Sequence, residues 1–234
     1  MTNRTSKSSC RQMLLALALG MAAAGAQAAT VSTPVTVKYL FNSAATPGTF
    51  LNPGLDPGLT LPATLTSFTA WSDSDATLIN LNGQSGTDKA IAARSWHDGN
   101  AFNFSFDVAA GSRLGISQID FWQQGSNGAQ GNGPTSWTMS INGQQIGNGT
   151  TNLGNPGGSR SLSFAAAPLE FVGTVAFSIF ATGATDGTGS AANATWRIDN
   201  FTITGDVAPV PVPGAVWLMG SALVALAARR RRPV

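Results

Sequence analysis

The side chains that could carry out chemistry are few in this sequence. Its 234 residues include one histidine, one tyrosine and one cysteine. His97 adjoins Asp98, but successive residues of an extended chain point to opposite faces, so the two make a poor base and orienter. The run Asp98-Gly99-Asn100 is typical of a turn. No nucleophile elbow, phosphate loop or zinc cluster occurs, so the sequence predicts a protein that is not an enzyme.

Paired carboxylates would be another route to catalysis. Glycoside hydrolysis needs an acid and a second carboxylate on either side of the scissile bond. Nothing in the spacing of the acidic residues selects a pair, so a glycan-cleaving enzyme is the second alternative to the function predicted below. The acids of the body that could take part are Asp73, Asp75, Asp88, Asp98, Asp107, Asp120, Glu170, Asp186 and Asp199.

Two acidic stretches are candidates for calcium, whose preferred ligands are hard oxygens on loops. In "WSDSDATL", Asp73 and Asp75 share one face of an extended chain, and "TDGTGS" surrounds Asp186. The first stretch lacks the glycine and the ligands of an EF-hand. An ordinary turn is favoured at both places, so no cofactor is predicted and a structural calcium ion stays open.

Five tryptophans fall in or beside the extended runs of the body. Burial in the core is favoured for each of them, because large aromatic side chains usually supply core contacts. An exposed tryptophan could stack on a sugar ring, so a carbohydrate-binding module is the first alternative function. Trp96 and Trp122 would then form the platform, since each adjoins a polar turn or a glycine-rich loop.

Short runs of alternating apolar and polar residues must position these side chains. They recur from Val31 to Gly205, separated by Gly, Asn, Ser and Pro, and no long stretch has helical periodicity. In "AFNFSFDV" the aromatic residues share one face, and in "GTVAFSIFA" Val175, Phe177 and Ile179 do so. About ten such strands predict an all-β fold, an antiparallel two-sheet sandwich of jelly-roll type, with an open barrel as the alternative.

Local irregularities are also predicted. Asn142-Gly143 follows the alternating run "SWTMSI" and favours a tight hairpin turn. Two runs change phase, "LGISQIDFW" between Ile116 and Ile119 and "WRIDNFTITG" between Ile198 and Phe201. A regular strand cannot change phase without an extra residue, so each run predicts a β-bulge or a corner.

The N-terminus has the three parts of a secretory signal peptide, predicted over residues 1–28. A basic stretch precedes an apolar core, "MLLALALGMAAAG", and the small-residue pattern Ala26-Gln27-Ala28. The body, residues 29–206, holds six basic residues against all eleven acidic ones, a net charge of −5, although the whole chain carries +2. Clustered Lys and Arg are needed to bind phosphate groups, so a nucleic-acid partner is excluded.

The C-terminal segment, residues 207–234, is apolar and ends in arginines. Prolines suit the first turn of a helix only, so a helix is predicted from Pro213 to Ala228. Its sixteen residues would span about 24 Å against a hydrocarbon core of about 30 Å, a short transmembrane helix. Four consecutive cations would hold the extreme C-terminus on the cytoplasmic side, namely Arg229, Arg230, Arg231 and Arg232.

This ending resembles the PEP-CTERM sorting signal, in which a Val-Pro-x-Pro motif, an apolar helix and an arginine cluster follow one another. Val212 stands where the eponymous glutamate would, so the motif is closest to the Val-Pro-Leu-Pro-Ala form of the signal. Gly214 replaces the usual alanine of that form. The residues of the motif are Val210, Pro211, Val212 and Pro213.

The resemblance implies an exported protein that is anchored in the inner membrane in transit. An exosortase-type enzyme would then process it, and the body would reach the outer surface or the medium. Such proteins accompany exopolysaccharide and biofilm production, so polysaccharide is a possible partner. The sequence is therefore interpreted as a structural or adhesive component of the extracellular matrix.

Overall fold

The structure is a computed structural model. The residues it describes are 31–41, 56, 60–74, 78–94, 96–125, 133–153, 156–184, 194–211, 220 and 222–223. One compact unit is Ser32–Pro209, and Met1–Val31 with Val210–Val234 form a second. The predicted signal peptide, residues 1–28, and almost all of the predicted transmembrane helix lie outside the described residues. Within the described part of the chain, no helix has the length and hydropathy that a membrane crossing requires.

The unit Ser32–Pro209 is all-β, and its strands form two antiparallel sheets, as the alternation predicts. The strands of the larger sheet are β1 (Thr33–Tyr39), β4 (Leu78–Asn82), β5 (Lys89–Arg94), β7 (Ser112–Gly125), β10 (Gly158–Ser163), β11 (Leu169–Phe171) and β13 (Thr195–Pro209). This seven-stranded sheet has the order β10-β7-β13-β5-β4, and β1 also pairs with β13 while β11 pairs with β7.

The second sheet has six strands. They are β2 (Leu65–Thr66), β3 (Ser72–Asp73), β6 (Ala101–Val108), β8 (Ser136–Ile141), β9 (Gln144–Thr150) and β12 (Gly173–Thr182). Their order is β2-β6-β12-β8-β9, and β3 also pairs with β6.

The inward faces of both sheets supply one hydrophobic core. Phe104 stacks on Phe177 across β6 and β12, with the ring centroids 4.6 Å apart. Phe201 of the other sheet meets Phe104 edge-on at 5.4 Å. Every second residue of a strand points inward, so these contacts join the two sheets into the predicted sandwich.

Both predicted phase changes are bulges in the pairing of β7 with β13. The register slips between Asp199 and Thr202, and again beside Ser117 where Thr204 pairs with Gln118 but Gly205 with Ile116. Asn200, in the first slip, has a φ of 50°. The extra residues keep apolar side chains inward on both halves of these long strands.

The Asn142-Gly143 turn joins β8 to β9 as predicted, with φ values of 51° and 78°. The Asn142 side chain also pairs with β12. Its Nδ2 donates to the Thr174 carbonyl at 3.0 Å, and its Oδ1 accepts from the Ala176 amide at 2.8 Å. The turn is thereby fixed to the neighbouring strand.

One predicted strand is largely absent. The apolar pattern of residues 60–71 predicts one continuous strand, but the chain forms only β2 there, and β3 begins after it. The Leu65 amide donates to the Pro62 carbonyl in a turn, and Ser67 has a φ of 54°. Local turn geometry therefore overrides the apolar pattern of this segment.

Candidate functional site

The outer face of the six-stranded sheet, formed by the side chains of its strands that point away from the core, carries one aromatic residue among its described members. On β12, Val175, Phe177, Ile179 and Ala181 point inward and are buried. Phe180 lies between two of them and so points outward, and it is half-buried.

Hydroxyl and amide side chains surround Phe180 on this outer face. Phe180 pairs with Ala101 of β6 and with Thr138 of β8, and Thr138 pairs with Asn148 of β9. The next row across the same strands contains Ser72, Asn103, Ser178, Ser140 and Gln145. Two parallel rows, in which small polar side chains predominate, thus cross the sheet at right angles to its strands.

Charge is nearly absent from the outer face. Asp107 is the one charged residue among its described members, and it accepts a hydrogen bond from Thr174 Oγ1 at 2.8 Å. Along β6 it lies six residues from Ala101, a separation of about 20 Å at the rise of a β-strand. The strand positions next to Phe180 on this face therefore carry no charge and are rich in hydrogen-bonding groups. Beyond the end of β12, Asp98 accepts from the Gly183 amide, three residues from Phe180.

The two tryptophans predicted as a sugar platform are both buried. Trp96 is fully buried against Phe102 and Trp196, and its Nε1 donates to the Ala181 carbonyl at 2.8 Å. It therefore belongs to the core, which is the reading that the sequence favoured for each tryptophan.

Trp122 is buried for a different reason. It points outward from the seven-stranded sheet, but Gly157 covers it so closely that a Cβ there would lie 2.4 Å from Trp122 Cζ2. Only 4% of Trp122 is exposed. Neither of these tryptophans can stack on a sugar at the surface, and Phe180, which the sequence analysis did not single out, is the aromatic residue placed to do so.

The calcium candidates are not brought together by the described residues. Asp73 ends β3 and pairs with Phe102 of β6, whereas Asp75 and Asp186 lie outside the described residues. No group of three or more His, Cys, Asp and Glu side chains in the described ranges could hold a metal ion.

The residues of the predicted sorting signal are described only in part. β13 ends at Pro209, and the first two residues of the motif, Val210 and Pro211, follow it and are exposed. The other residues named for this signal lie outside the described part of the chain, so the sorting signal stays a prediction. They are Val212 and Pro213 of the motif and the cations Arg229, Arg230, Arg231 and Arg232.

Two carboxyl groups that the spacing did not select do meet, Asp88 at the end of the β4–β5 turn and Asp199 on β13. Both lie against Gly83, where a Cβ would be 2.3 Å from Asp199 Oδ2 and 2.9 Å from Asp88 Oδ1. Asp199 is fully buried, and it also accepts from the Gln84 amide at 3.0 Å and the Asn200 amide at 2.7 Å. Asp88 accepts from the Ser85 amide at 2.9 Å. The pair joins the turn to β13.

The shared environment moves the two pKa values in opposite directions. Burial raises the pKa of Asp199 to about 7. The side chain and negative charge of Asp88 also raise this pKa, whereas the backbone hydrogen bonds from Gln84 and Asn200 lower it. Burial also tends to raise the pKa of Asp88, but hydrogen bonds from Ser85 and Asp199 outweigh it and lower that pKa. These opposite shifts favour a protonated Asp199 beside an ionised Asp88 at weakly acidic pH.

This pair does not suit glycan cleavage. A carboxyl group that acts on a glycosidic bond has to reach the substrate. Asp199 is fully buried, so a substrate could not reach it. His97 is exposed, and Asp98 accepts from the Gly183 amide at 2.7 Å. The described residues thus form no catalytic arrangement.

Comparisons with known proteins give distant likenesses. No protein-family model and no curated protein matches the chain. A family 29 carbohydrate-binding module complexed with mannohexaose is 11% identical, with a TM-score of 0.36 over 74% of this chain and 92% of that one. The family 11 carbohydrate-binding module from Clostridium thermocellum, in complex with a β-1,3-1,4-mixed-linked tetrasaccharide, is 9% identical, with a TM-score of 0.30 over 61% of this chain and 89% of that one.

A third solved structure is much longer than this chain. The xanthan lyase of Paenibacillus is 17% identical, with a TM-score of 0.37 over 62% of this chain and 14% of that one. Likenesses this distant do not establish a shared ligand, so what the present chain binds has to be inferred from its own residues.

Proposed function

We propose that this protein is an exported polysaccharide-binding protein that holds a neutral glycan on the outer face of its six-stranded sheet. The observation that carries the proposal is the placement of Phe180. Its aromatic side chain points outward among strand positions that carry hydroxyl and amide groups and no charge.

The chemistry of this face matches that of a sugar chain. The apolar face of a pyranose ring packs on an aromatic ring, and its hydroxyl groups exchange hydrogen bonds with Ser, Thr and Asn side chains. Neighbouring strands lie about 4.8 Å apart, close to the length of one sugar unit. A glycan that runs across the strands would therefore meet at least one polar side chain on each of β6, β12, β8 and β9.

The charge of this face favours a neutral glycan. A polymer rich in uronic acid, sulfate or pyruvate groups would need Lys or Arg partners, which are the usual recognition groups for carboxylate and phosphate. The described members of the outer face include none. Asp107 would repel an anionic chain further.

The chain ends support delivery of this body to the cell surface. A signal peptide over residues 1–28 and a PEP-CTERM-type tail over residues 207–234 would export the body, anchor it in the inner membrane and present Val210–Pro213 to an exosortase-type enzyme. A structural or adhesive role in the extracellular matrix follows if the released body binds matrix polysaccharide.

Retention of the full-length chain on insoluble neutral polysaccharides, in a pull-down with mannan, cellulose and mixed-linkage glucan, tests the binding. We expect retention on at least one of them and none on xanthan or alginate beads. Phe180→Ala should weaken retention at least tenfold, since one lost stacking contact is worth about 1.5 kcal/mol or more.

The matched control is Val172→Ala, which shortens an exposed apolar side chain just before β12. It should leave retention unchanged. Equal loss in both variants, or retention that Phe180→Ala does not alter, would place binding elsewhere. Retention only on the acidic polymers would contradict the neutral-glycan assignment.

The sorting proposal has a separate test. Intact-mass measurement of the protein from membrane and medium fractions should show loss of residues 1–28 and cleavage near the proline motif in the released form. A released protein that keeps Arg229, Arg230, Arg231 and Arg232 would contradict processing by an exosortase-type enzyme.

A further inference from the structure

The carboxyl pair on the seven-stranded sheet has no part in the proposed glycan site. Asp88 and Asp199 lie on the side of the sandwich opposite the outer face of the six-stranded sheet, where the β4–β5 turn folds over β13. We propose that the pair is a proton-dependent latch, which fastens this turn to β13 when the two carboxyl groups share a proton and loosens when both are ionised.

The β4–β5 turn packs tightly against the two carboxyl groups. A Cβ at Gly83 would lie 2.3 Å from Asp199 Oδ2 and 2.9 Å from Asp88 Oδ1, so the backbone of the turn sits directly on the pair. Asn200 Nδ2 donates to Asp199 Oδ2 at 3.2 Å and to Gln84 Oε1 at 3.1 Å. Movement of either carboxyl group therefore moves the turn.

Two cations that are close to Asp199 and Asp88 in sequence both donate to Asn82, the last residue of β4. Arg197, two residues before Asp199, donates from Nη1 to the Asn82 carbonyl at 2.6 Å, and Lys89 donates from Nζ to Asn82 Oδ1 at 3.4 Å. Burial lowers the pKa of Arg197 without bringing it into the range where it would lose its proton.

Neighbouring strands contribute two further charges. Asp120 of β7 and Lys38 of β1 both pair with Thr202, beyond the bulge that follows Asp199. Gln118 Nε2 donates to both oxygens of Asp120. Proton sharing would relieve the repulsion between Asp88 and Asp199 directly.

The sign of the pH dependence follows from linkage. Asp199, whose pKa is raised in the closed state, binds a proton there that the open state lacks above the ordinary pKa near 4. The lowered pKa of Asp88 weakens closure below that pH, so closure is strongest at about pH 4. The stability of the closed latch is then lost as pH rises toward 7, by roughly tenfold in the opening equilibrium for each pH unit, and levels off above that.

Hydrogen exchange of the full-length chain in EDTA-containing buffer tests the latch. We expect the protection factors of the Gln84 and Ser85 amides, which donate to the pair, to fall at least tenfold between pH 5 and pH 8. Asp88→Asn keeps an acceptor for the Ser85 amide and puts a permanent donor in place of the shared proton, so its protection should stay the same at both pH values.

Two further variants keep the test decisive. Asp199→Asn should also remove the pH dependence, but with lower protection at both pH values, because both oxygens of Asp199 accept from a backbone amide and an Asn side chain has only one oxygen. Asp107→Asn, on the opposite sheet, should retain the wild-type pH dependence. Unchanged protection in the wild-type chain, or a fall that persists in the Asn variants of the pair, would overturn the latch.

Discussion

The outward faces of the two sheets differ in what covers them. On the seven-stranded sheet, Trp122, Arg197 and Asp199 point outward yet are buried, because the Gly157 segment and the β4–β5 turn fold over them. On the six-stranded sheet, Phe180 and its hydroxyl neighbours remain at the surface. Covered polar and aromatic groups stabilise the fold, whereas uncovered ones are available to a ligand.

The largest test of this difference exchanges the outward aromatic residue of each sheet for alanine. Trp122→Ala removes a buried side chain and should lower the free energy of unfolding by about 3–5 kcal/mol. Phe180→Ala should cost no more than about 1 kcal/mol, because Phe180 lies outside the core.

Urea unfolding followed by tryptophan fluorescence for Phe180→Ala and by circular dichroism for both variants provides the measurement. Equal destabilisation by the two changes would mean that Phe180 is a packing residue, and the proposed glycan site would lose its central contact.

A second test compares the outward acids. Asp199→Ala removes the acceptor of the Gln84 and Asn200 amides and should cost about 1–3 kcal/mol for a donor left unpaired in the interior. Asp107→Ala loses one half-exposed hydrogen bond and should cost about 1 kcal/mol or less. Thermal unfolding at pH 6 provides the measurement. A larger loss of stability in Asp107→Ala than in Asp199→Ala would contradict this prediction.

A smaller test separates the steric contact of Gly157 with Trp122 from the cost of its backbone conformation. Gly157 and Gly111 have similar φ values, 82° and 80°, but only a Cβ at Gly157 would strike a neighbour. Both alanine variants carry the cost of a left-handed residue, about 1 kcal/mol. Gly157→Ala should add about 1–3 kcal/mol of overpacking against Trp122. Matching unfolding midpoints for the two variants would show that the Gly157 segment can lift away.

The alternation of side chains made most of this fold predictable. Period-two patterns identified β6 and β12, the Asn-Gly pair identified the β8–β9 turn, and the two phase changes identified the bulges of β7 and β13. Each of these signals is local, since it depends on which side of one strand a residue faces.

The candidate site was predicted less well, because burial depends on contacts that are distant in sequence. Burial was favoured for Trp122, but the sequence could not show that Gly157 would cover it from outside the sheet, so it stayed a candidate for a sugar platform. The meeting of Gln84 with Asp199 joins residues 115 positions apart, which no local pattern encodes. Phe180 had a readable signal, since the inward alternation of Val175, Phe177 and Ile179 already placed it on the opposite face.

The fixed turn at Asn142-Gly143 also bears on the chemical durability of the chain. Asparagine before glycine deamidates readily in a flexible peptide, when the glycine amide nitrogen attacks the side-chain carbonyl carbon to close a succinimide ring. Here both ends of the Asn142 amide are held by β12, and the left-handed backbone of the turn is locked in place. The ring cannot form without breaking these contacts, so we expect this Asn-Gly pair to deamidate more slowly than the same pair in a flexible peptide.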